Sequence, residues 1–324
     1  MSKASPSWRF WSHALPPAIA AVILLVAVFV LYRQFEAISL VALVGAIREQ
    51  PLSRIAVALA LTAVSFLALS TYDVFAARTV VPGRVSWARG ALAGAAGNAV
   101  ANTLGFHAVT GSAVRYRLYK QAGLGLADTA RIVSLSWAAL GLGFVSMLAV
   151  ALLAAPVAGG GWTAATIRLQ AVGVALAVAL CALINWLSRG SRSLSLGPLH
   201  VDLPPVHLAA LQMGIGAVEM GAAIGALYIL LPADLAPSFA AFAVATVASI
   251  LLGVVAHSPG GIGVFEASIV SLLGGAGRAD LLAALLLYRL IYNLLPFVLS
   301  LAALGLFEVF GRHGQASSNA DNAE

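Results

Sequence analysis

The sequence has few charged residues. Asp, Glu, Lys and Arg make up 9% of its 324 residues, whereas soluble domains carry roughly 25%. Hydrophobic residues make up 61%, and the mean hydropathy is +0.97. This composition excludes a soluble globular domain and predicts an integral membrane protein. The long uncharged runs favour membrane-spanning helices over the ~10-residue alternating segments of a barrel.

Cysteine and the common catalytic motifs are also scarce. Cys181 is the only cysteine, which excludes a disulfide framework or a Cys-based metal cluster within the chain. The sequence has no Gly-x-Ser-x-Gly elbow, no Gly-Lys-Ser/Thr phosphate loop and no His-x-x-x-His pair. We therefore expect no cofactor and no metal, and a transporter rather than an enzyme. The net charge of +6 comes from basic residues in short loops, which indicate membrane orientation rather than nucleic-acid binding.

Hydrophobic runs predict an all-α polytopic membrane protein of about seven to eight transmembrane helices with one or two re-entrant segments and an internal repeat. Residues 1–310 form a single transmembrane domain in this interpretation, and 311–324 form a polar disordered tail. The first run lacks an Ala-x-Ala-like cleavage site, so we expect a retained span with a cytoplasmic N-terminus. The candidate spans are 14–32, 54–73, 132–154, 168–187, 207–231, 238–256 and 281–310.

Two further segments, about 90–111 and 263–276, are rich in glycine. Basic loops flank the first on both sides, so a full crossing would place one basic cluster outside the membrane, against the usual bias. We therefore expect 90–111 to be re-entrant, and its polar Asn98, Asn102 and Thr103 suit irregular backbone buried in protein. The same count of crossings places both glycine-rich breaks near the cytoplasmic face. Either the repeat is parallel or one crossing is miscounted.

The two breaks resemble each other. Each contains a histidine, a glycine four residues later and a charge beyond: His107 and Arg115 in one, His257 and Glu266 in the other. Paired breaks in corresponding halves of a hydrophobic chain indicate the substrate site of a transporter. In the second break, Pro259 precedes Gly260-Gly261-x-Gly263, which would free backbone amides that can bind an anion.

Ionisable residues at membrane depth are the main candidates for function, because each costs at least ~2.5–3.5 kcal/mol to insert. The arginines would attract a phosphate, and the carboxylates would balance them or meet a cationic headgroup. Alternatively, the charges form buried ion pairs that lock helices together, for instance Arg115 with Glu266 or Arg289 with Glu219. Asp73 and Arg115 could also snorkel from span ends. The candidates are Asp73, Arg115, Glu219, Glu266 and Arg289.

Three strings together resemble a known family. They are Gly97-Asn98-x-x-x-Asn102-x-Leu104-Gly105 with the following Arg115-Tyr116-Arg117-x-Tyr119, then Pro259-Gly260-Gly261-Ile262-Gly263-Val264-Phe265-Glu266, then Tyr288-Arg289-x-x-Tyr292. They are similar to the transmembrane flippase region of lysylphosphatidylglycerol synthases and their stand-alone relatives.

The resemblance implies an inner-membrane protein that moves lipids between leaflets, with important polar residues at Asp73, Arg115, Glu219 and Glu266. The chain departs from the two-domain members, because it ends at Glu324 with no room for their cytosolic transferase domain, and we therefore expect no aminoacyl transfer by this chain. Some stand-alone relatives are associated with isoprenoid lipids and others with glycolipids or envelope assembly.

The sequence thus predicts a lipid flippase of the bacterial inner membrane, with a membrane lipid as substrate and no nucleic-acid partner. A membrane enzyme or enzyme subunit of envelope-lipid synthesis is the alternative, and a partner-anchoring scaffold is a third hypothesis. Small-residue helix faces are compatible with a homodimer. The predicted substrate-binding residues are Asp73, Asn102, Arg115, Glu219, Gly260, Gly261, Glu266 and Arg289.

Overall fold

The computed structural model describes residues 40–105, 107–158, 164–190, 193–196, 199–255, 263–275 and 278–307. These residues are almost entirely helical, which confirms the all-α class. One short antiparallel hairpin, β1 (Ser193–Leu196) with β2 (Leu199–Asp202), lies in a connecting loop. The helices are α1 (Leu40–Glu49), α2 (Leu52–Val80), α3 (Trp87–Leu104), α4 (His107–Lys120), α5 (Leu126–Ala158), α6 (Ala164–Ser188), α7 (Val206–Tyr228), α8 (Phe239–Val255), α9 (Val264–Leu272) and α10 (Ala279–Tyr288).

Five described helices are long and apolar enough to cross a membrane. They match five of the predicted runs, and the predicted run 14–32 and tail 311–324 lie outside the described residues. The last span is α10 continued through a π-helix, Arg289–Leu294, to residue 307. The five spans are Leu52–Val80, Leu126–Ala154, Ile167–Ser188, Val206–Tyr228 and Ala279–Phe307.

The predicted re-entrant segment is a helical hairpin, here called the first hairpin (residues 87–120). The Ser86 side chain caps the start of α3, and Gly105 ends it with a φ of 75°, a conformation that favours glycine. The chain then turns back, and α4 packs along α3. Near the tip, Thr103 Oγ1 donates to the carbonyl of Asn293, 3.2 Å away, in the middle of the last span. The tip therefore lies at mid-membrane depth, as expected of a re-entrant segment.

A second hairpin is formed by α8 (Phe239–Val255) and α9 (Val264–Leu272), which also pack together. Its 17-residue first helix is about 25 Å long at ~1.5 Å per residue, short of the ~30 Å hydrocarbon core. The start of α9 reaches the last span, where Glu266 pairs with Arg289. The prediction that 238–256 is a full crossing was therefore wrong, because its hydropathy matches that of a span but its length and packing do not.

The two hairpins enter from opposite faces of the membrane. The first follows the end of α2, and the second follows the end of α7. At the start of α2, Gln50 Nε2 and Arg54 Nη1 donate to the carbonyls of Leu230 and Leu231, just beyond the end of α7. Because α2 has 29 residues, or roughly 43 Å, its two ends lie on opposite faces. The expectation that both breaks lie near the cytoplasmic face was wrong, and the miscounted crossing is 238–256.

The described residues contain the same order of elements twice, in opposite orientation. The first set is α2, the first hairpin and α5, the second set is α7, the second hairpin and the last span, and α6 connects the two sets. Because α2 and α7 end on opposite faces, the second set is inverted relative to the first, which is the arrangement of inverted-repeat transporters.

Candidate functional site

A buried ion pair attaches the first hairpin to α2. Arg115 on α4 donates from Nε to Asp73 Oδ1 at 2.8 Å and from Nη2 to Asp73 Oδ2 at 3.0 Å. Tyr119, one turn after Arg115, donates from Oη to the same Oδ1 at 3.1 Å. The side chains of Asp73 and Arg115 are 0% and 1% exposed. They therefore do not snorkel to the surface, and a headgroup could reach Arg115 only if the hairpin moved.

Two glycines make room for this arginine. A Cβ on Gly97 of α3 would lie 2.7 Å from Arg115 Nη1, and one on Gly111 of α4 would lie 2.9 Å from the same atom. On the other side of α3, a Cβ on Gly94 would lie 3.0 Å from the Cα of Ser70. The glycines of the first break thus allow the helices to pack closely around a buried guanidinium.

Gly97→Ala is expected to lower the stability of the protein by about 1–3 kcal/mol, because the new methyl group displaces the Arg115 guanidinium from Asp73. Gly221→Ala on α7 is the matched control, since nothing lies within 4 Å of its added Cβ. The control should unfold at or slightly above the wild-type temperature. Thermal unfolding of both purified variants in detergent measures this, and equal melting temperatures would contradict the tight fit.

A second ion pair joins the second hairpin to the last span. Glu266 is hydrogen-bonded by the backbone N–H of Gly263 at 2.8 Å, which caps the start of α9. Its other carboxylate oxygen accepts from Arg289 Nε. The Arg289 and Glu266 side chains are 8% and 17% exposed, so this pair is more accessible than the first.

Arg289 begins the π-helix of the last span. Pro296 has no N–H to donate to the carbonyl of Tyr292, which explains the wider turn that precedes it. Such π-segments are frequently found at functional sites. The rings of Tyr288 and Tyr292 stack at 5.1 Å, and Phe265 and Phe66 extend the row at its two ends.

Glu219 lies deep in α7, 3% exposed. Ser65 Oγ donates to its Oε1 at 3.3 Å, and the same hydroxyl lies 2.9 Å from Tyr292 Oη. Its Oε2 has no hydrogen-bond partner among the described residues. Within the part of the chain that the structure describes, no Lys or Arg forms a salt bridge with it. The aromatic row therefore runs from this carboxylate to the pair at Glu266.

Of the remaining predicted positions, the structure describes some and not others. Asn102 Oδ1 lies 3.0 Å from His107 Nε2 at the tip of the first hairpin, so His107 has a local bonding role there. Gly260, Gly261 and His257 lie outside the described residues. Among the residues that the structure describes, no group of three His, Cys, Asp or Glu side chains could hold a metal ion.

The sequence identified the buried charges but not their partners. The suggested pairings of Arg115 with Glu266 and of Arg289 with Glu219 are wrong, because Arg115 pairs with Asp73 and Arg289 pairs with Glu266. Sequence reasoning also missed Ser65, and it named Tyr119 only within the resemblance to a family, not as a site residue. The position of Tyr119 four residues after Arg115 was an available signal, since i and i+4 share one helix face.

A lateral groove of about 330 Å³ opens between α2 and α3, on the turns of α2 that flank Asp73. Its hydroxyls, on Ser70 and Thr71, donate to backbone carbonyls of their own helix, so the lining is almost wholly apolar. At its basic end, the guanidinium of Arg78 lies 3.9 Å from the ring of Trp87, which is 56% exposed. The groove is lined by Ser70, Thr71, Val74, Phe75, Trp87, Ala88 and Ala91.

On the opposite face, the charge of Arg278 is neutralised locally. Arg278, between the second hairpin and the last span, forms salt bridges with Asp234 and Asp280. The hydrogen bonds from Arg278 lower the pKa of Asp234, so this carboxylate is ionised at neutral pH. The basic loops around the first hairpin therefore mark that side as cytoplasmic.

The chain is similar over its whole length to a protein of a bacterial inner membrane. Inner membrane protein YbhN of Escherichia coli (strain K12) is 29% identical over 326 residues, which cover 99% of each chain. With its five span-length helices, the chain described here is therefore a multi-pass inner membrane protein, as predicted. Uncharacterized protein slr0712 of Synechocystis sp. (strain ATCC 27184 / PCC 6803 / Kazusa) is 23% identical over 309 residues, 94% of each chain. No family model matches the sequence.

Proposed function

We propose that this protein is a lipid transporter that moves an anionic amphiphile between the leaflets of the inner membrane. The observation that carries the proposal is the pair of hairpins that enter from opposite faces and meet the same π-helix at mid-membrane depth. Inverted repeats with broken helices place substrate sites at that depth and alternate access between the two faces.

The groove between α2 and α3 supports a lipid rather than a soluble solute. An acyl or isoprenoid chain suits its apolar lining, and the exposed Arg78 beside Trp87 suits a phosphate at the membrane interface. The groove adjoins the turns of α2 that hold Arg115 through Asp73. Movement of the first hairpin would therefore open a path from the groove to the buried polar groups.

Reconstitution of the purified protein in liposomes with headgroup-labelled lipids tests the proposal. A membrane-impermeant quencher removes only the outer-leaflet signal unless lipids cross during the assay. We expect the protein to accelerate the loss of the inner-leaflet signal for at least one class among phospholipids, isoprenoid phosphates and glycolipids. Protein-free liposomes give the background, and failure with every class would contradict the proposal.

Arg78→Ala is expected to reduce selectivity for the anionic lipid. One Arg at the membrane surface contributes about 1 kcal/mol to binding an anionic lipid, or roughly fivefold in affinity. Transport of the anionic substrate at low concentration should fall by that factor, while a zwitterionic analogue is unaffected. Arg84→Ala is the control, because the Arg84 side chain is exposed but bonds Gly123 and Asp128 away from the groove. Equal effects of the two variants would contradict a headgroup site at Arg78.

A further inference from the structure

The buried charges at membrane depth do not balance. Two carboxylates, Asp73 and Glu266, are each paired with an arginine. Glu219 is as deeply buried as Asp73 and has no cationic partner among the described residues. One of its oxygens is also without a hydrogen-bond partner there. An ionised carboxylate in that position would be costly to bury, and binding a proton removes the charge.

We propose that Glu219 is a proton-binding site, and that release of its proton is coupled to lipid movement. The coupling rests on the proposed transport function, whereas the proton site does not. With Glu219 protonated, the negative charges of the buried acids and the positive charges of the buried arginines in the described region sum to zero. After the proton leaves, one net negative charge remains beside the last span.

The surroundings of Glu219 suit a group that gains and loses a proton. On α2, Ser65 donates to Oε1, and the Tyr72 hydroxyl is a second buried polar atom without a partner in the described region. A Cβ on Gly216, one turn before Glu219, would lie 2.9 Å from that hydroxyl. A protonated Glu219 can donate an O–H, and an ionised one can accept from hydroxyls that are already present.

The last span contributes the remaining ionisable neighbours. Tyr288 and Tyr292 lie close enough to interact electrostatically with Glu219, and Arg289 beyond them is bonded to Glu266. The described part of α8 has no ionisable side chain, and on α6 the ionisable groups are Arg168 in its first turns and the exposed Cys181. On α5 the charges Asp128 and Arg131 lie in its first turns.

The aromatic row connects the proton on Glu219 to the last span and to the second hairpin. Tyr292 contacts Ser65 of the Glu219 cluster and stacks on Tyr288, which stacks on Phe265 beside Glu266. A change of charge at Glu219 therefore acts on the π-helix and on the attachment of the second hairpin. The proton site lies where it can bias the position of that hairpin.

Labelling with the hydrophobic reagent N,N′-dicyclohexylcarbodiimide tests the site in the wild-type protein. The reagent adds to protonated carboxyl groups in apolar surroundings, and mass spectrometry of the digested protein locates the adduct. We expect labelling at Glu219 at neutral pH, falling roughly tenfold for each pH unit once the acid ionises. The ion-paired Asp73 and Glu266 serve as internal controls and should be labelled far less. No label at Glu219 at mildly acidic pH, or equal labelling of all three, would overturn the proton site.

Translocation under an imposed pH gradient then tests the coupling. Wild-type protein should respond to the direction of the gradient, and Glu219→Gln, which mimics the protonated acid, should transport without that response or not at all. If Glu219 is labelled but no lipid class crosses, the proton site stands and the proposed function fails. If lipid crosses with the same response to the gradient in Glu219→Gln, or responds to sodium instead of protons, the inference fails and the proposed function stands.

Discussion

Asp73→Ala is expected to destabilise the protein by about 3–5 kcal/mol, the usual cost of removing one partner of a buried ion pair. The substitution leaves the Arg115 guanidinium charged, 1% exposed and enclosed by the backbones of Gly97 and Gly111. It also removes the acceptor of the Tyr119 hydroxyl. We expect a large fall in the melting temperature of the purified protein and less protein in the membrane fraction.

The double variant Asp73→Leu with Arg115→Met separates the charge from the packing. Apolar side chains of similar size often replace a buried ion pair with little loss, so the double variant should regain most of the lost stability. Asp128→Asn is the control, because its pairs with Arg84 and Arg131 are partly exposed and contribute about 0–1 kcal/mol. A melting temperature of Asp73→Ala equal to that of the control would contradict a stabilising role of the ion pair between Asp73 and Arg115.

Glu266→Gln is expected to abolish most of the transport while the protein stays folded. Glutamine retains an acceptor for the Gly263 N–H but loses the charge that holds Arg289. We expect translocation to slow by roughly tenfold or more, equivalent to about 1.4 kcal/mol of barrier. Glu266→Ala should in addition lose about 1 kcal/mol of stability, because the helix cap is also removed.

The two Glu266 variants need a carboxylate control outside the membrane. Asp234→Asn removes a charge of similar type, 62% exposed, which pairs with Arg278 on the periplasmic face. It should transport at the wild-type rate. We would measure unfolding temperatures and translocation rates of all three variants on the same preparations. These measurements separate an effect on transport from an effect on stability. Normal transport by Glu266→Gln would show that the Arg289 pair only holds the helices together.

The sequence predicted that Glu219 and Arg289 are buried because apolar neighbours surround both of them, and it left open whether Asp73 and Arg115 reach the surface. Glu219 and Arg289 lie inside long apolar runs, and Asp73 ends one. The pairings were not predictable in the same way. Arg115 and Asp73 are 42 residues apart and belong to different helices, and only the depth of the first hairpin brings them together. Sequence spacing carries no information on that depth.

The second hairpin was misassigned for a related reason. Apolar content alone does not distinguish α8 from a span, because its 17 residues are as hydrophobic as those of the true spans. The first hairpin was predicted correctly because it carries asparagines and lies between basic loops. The second one is flanked by Asp234 on one side and by Arg278 and Asp280 on the other, so acidic and basic residues are mixed and give no orientation signal. The chain reverses direction there because α8 packs against α9, and hydropathy does not predict that packing.

Cysteine accessibility distinguishes entry of the two hairpins from opposite faces from entry at one face. In a Cys181→Ser background, Gln121→Cys marks the base of the first hairpin and Ala233→Cys marks the base of the second; both positions are exposed. In intact cells with a permeable outer membrane, an impermeant maleimide should label Ala233→Cys but label Gln121→Cys only after the inner membrane is opened. Labelling of both from the same side would contradict the inverted arrangement.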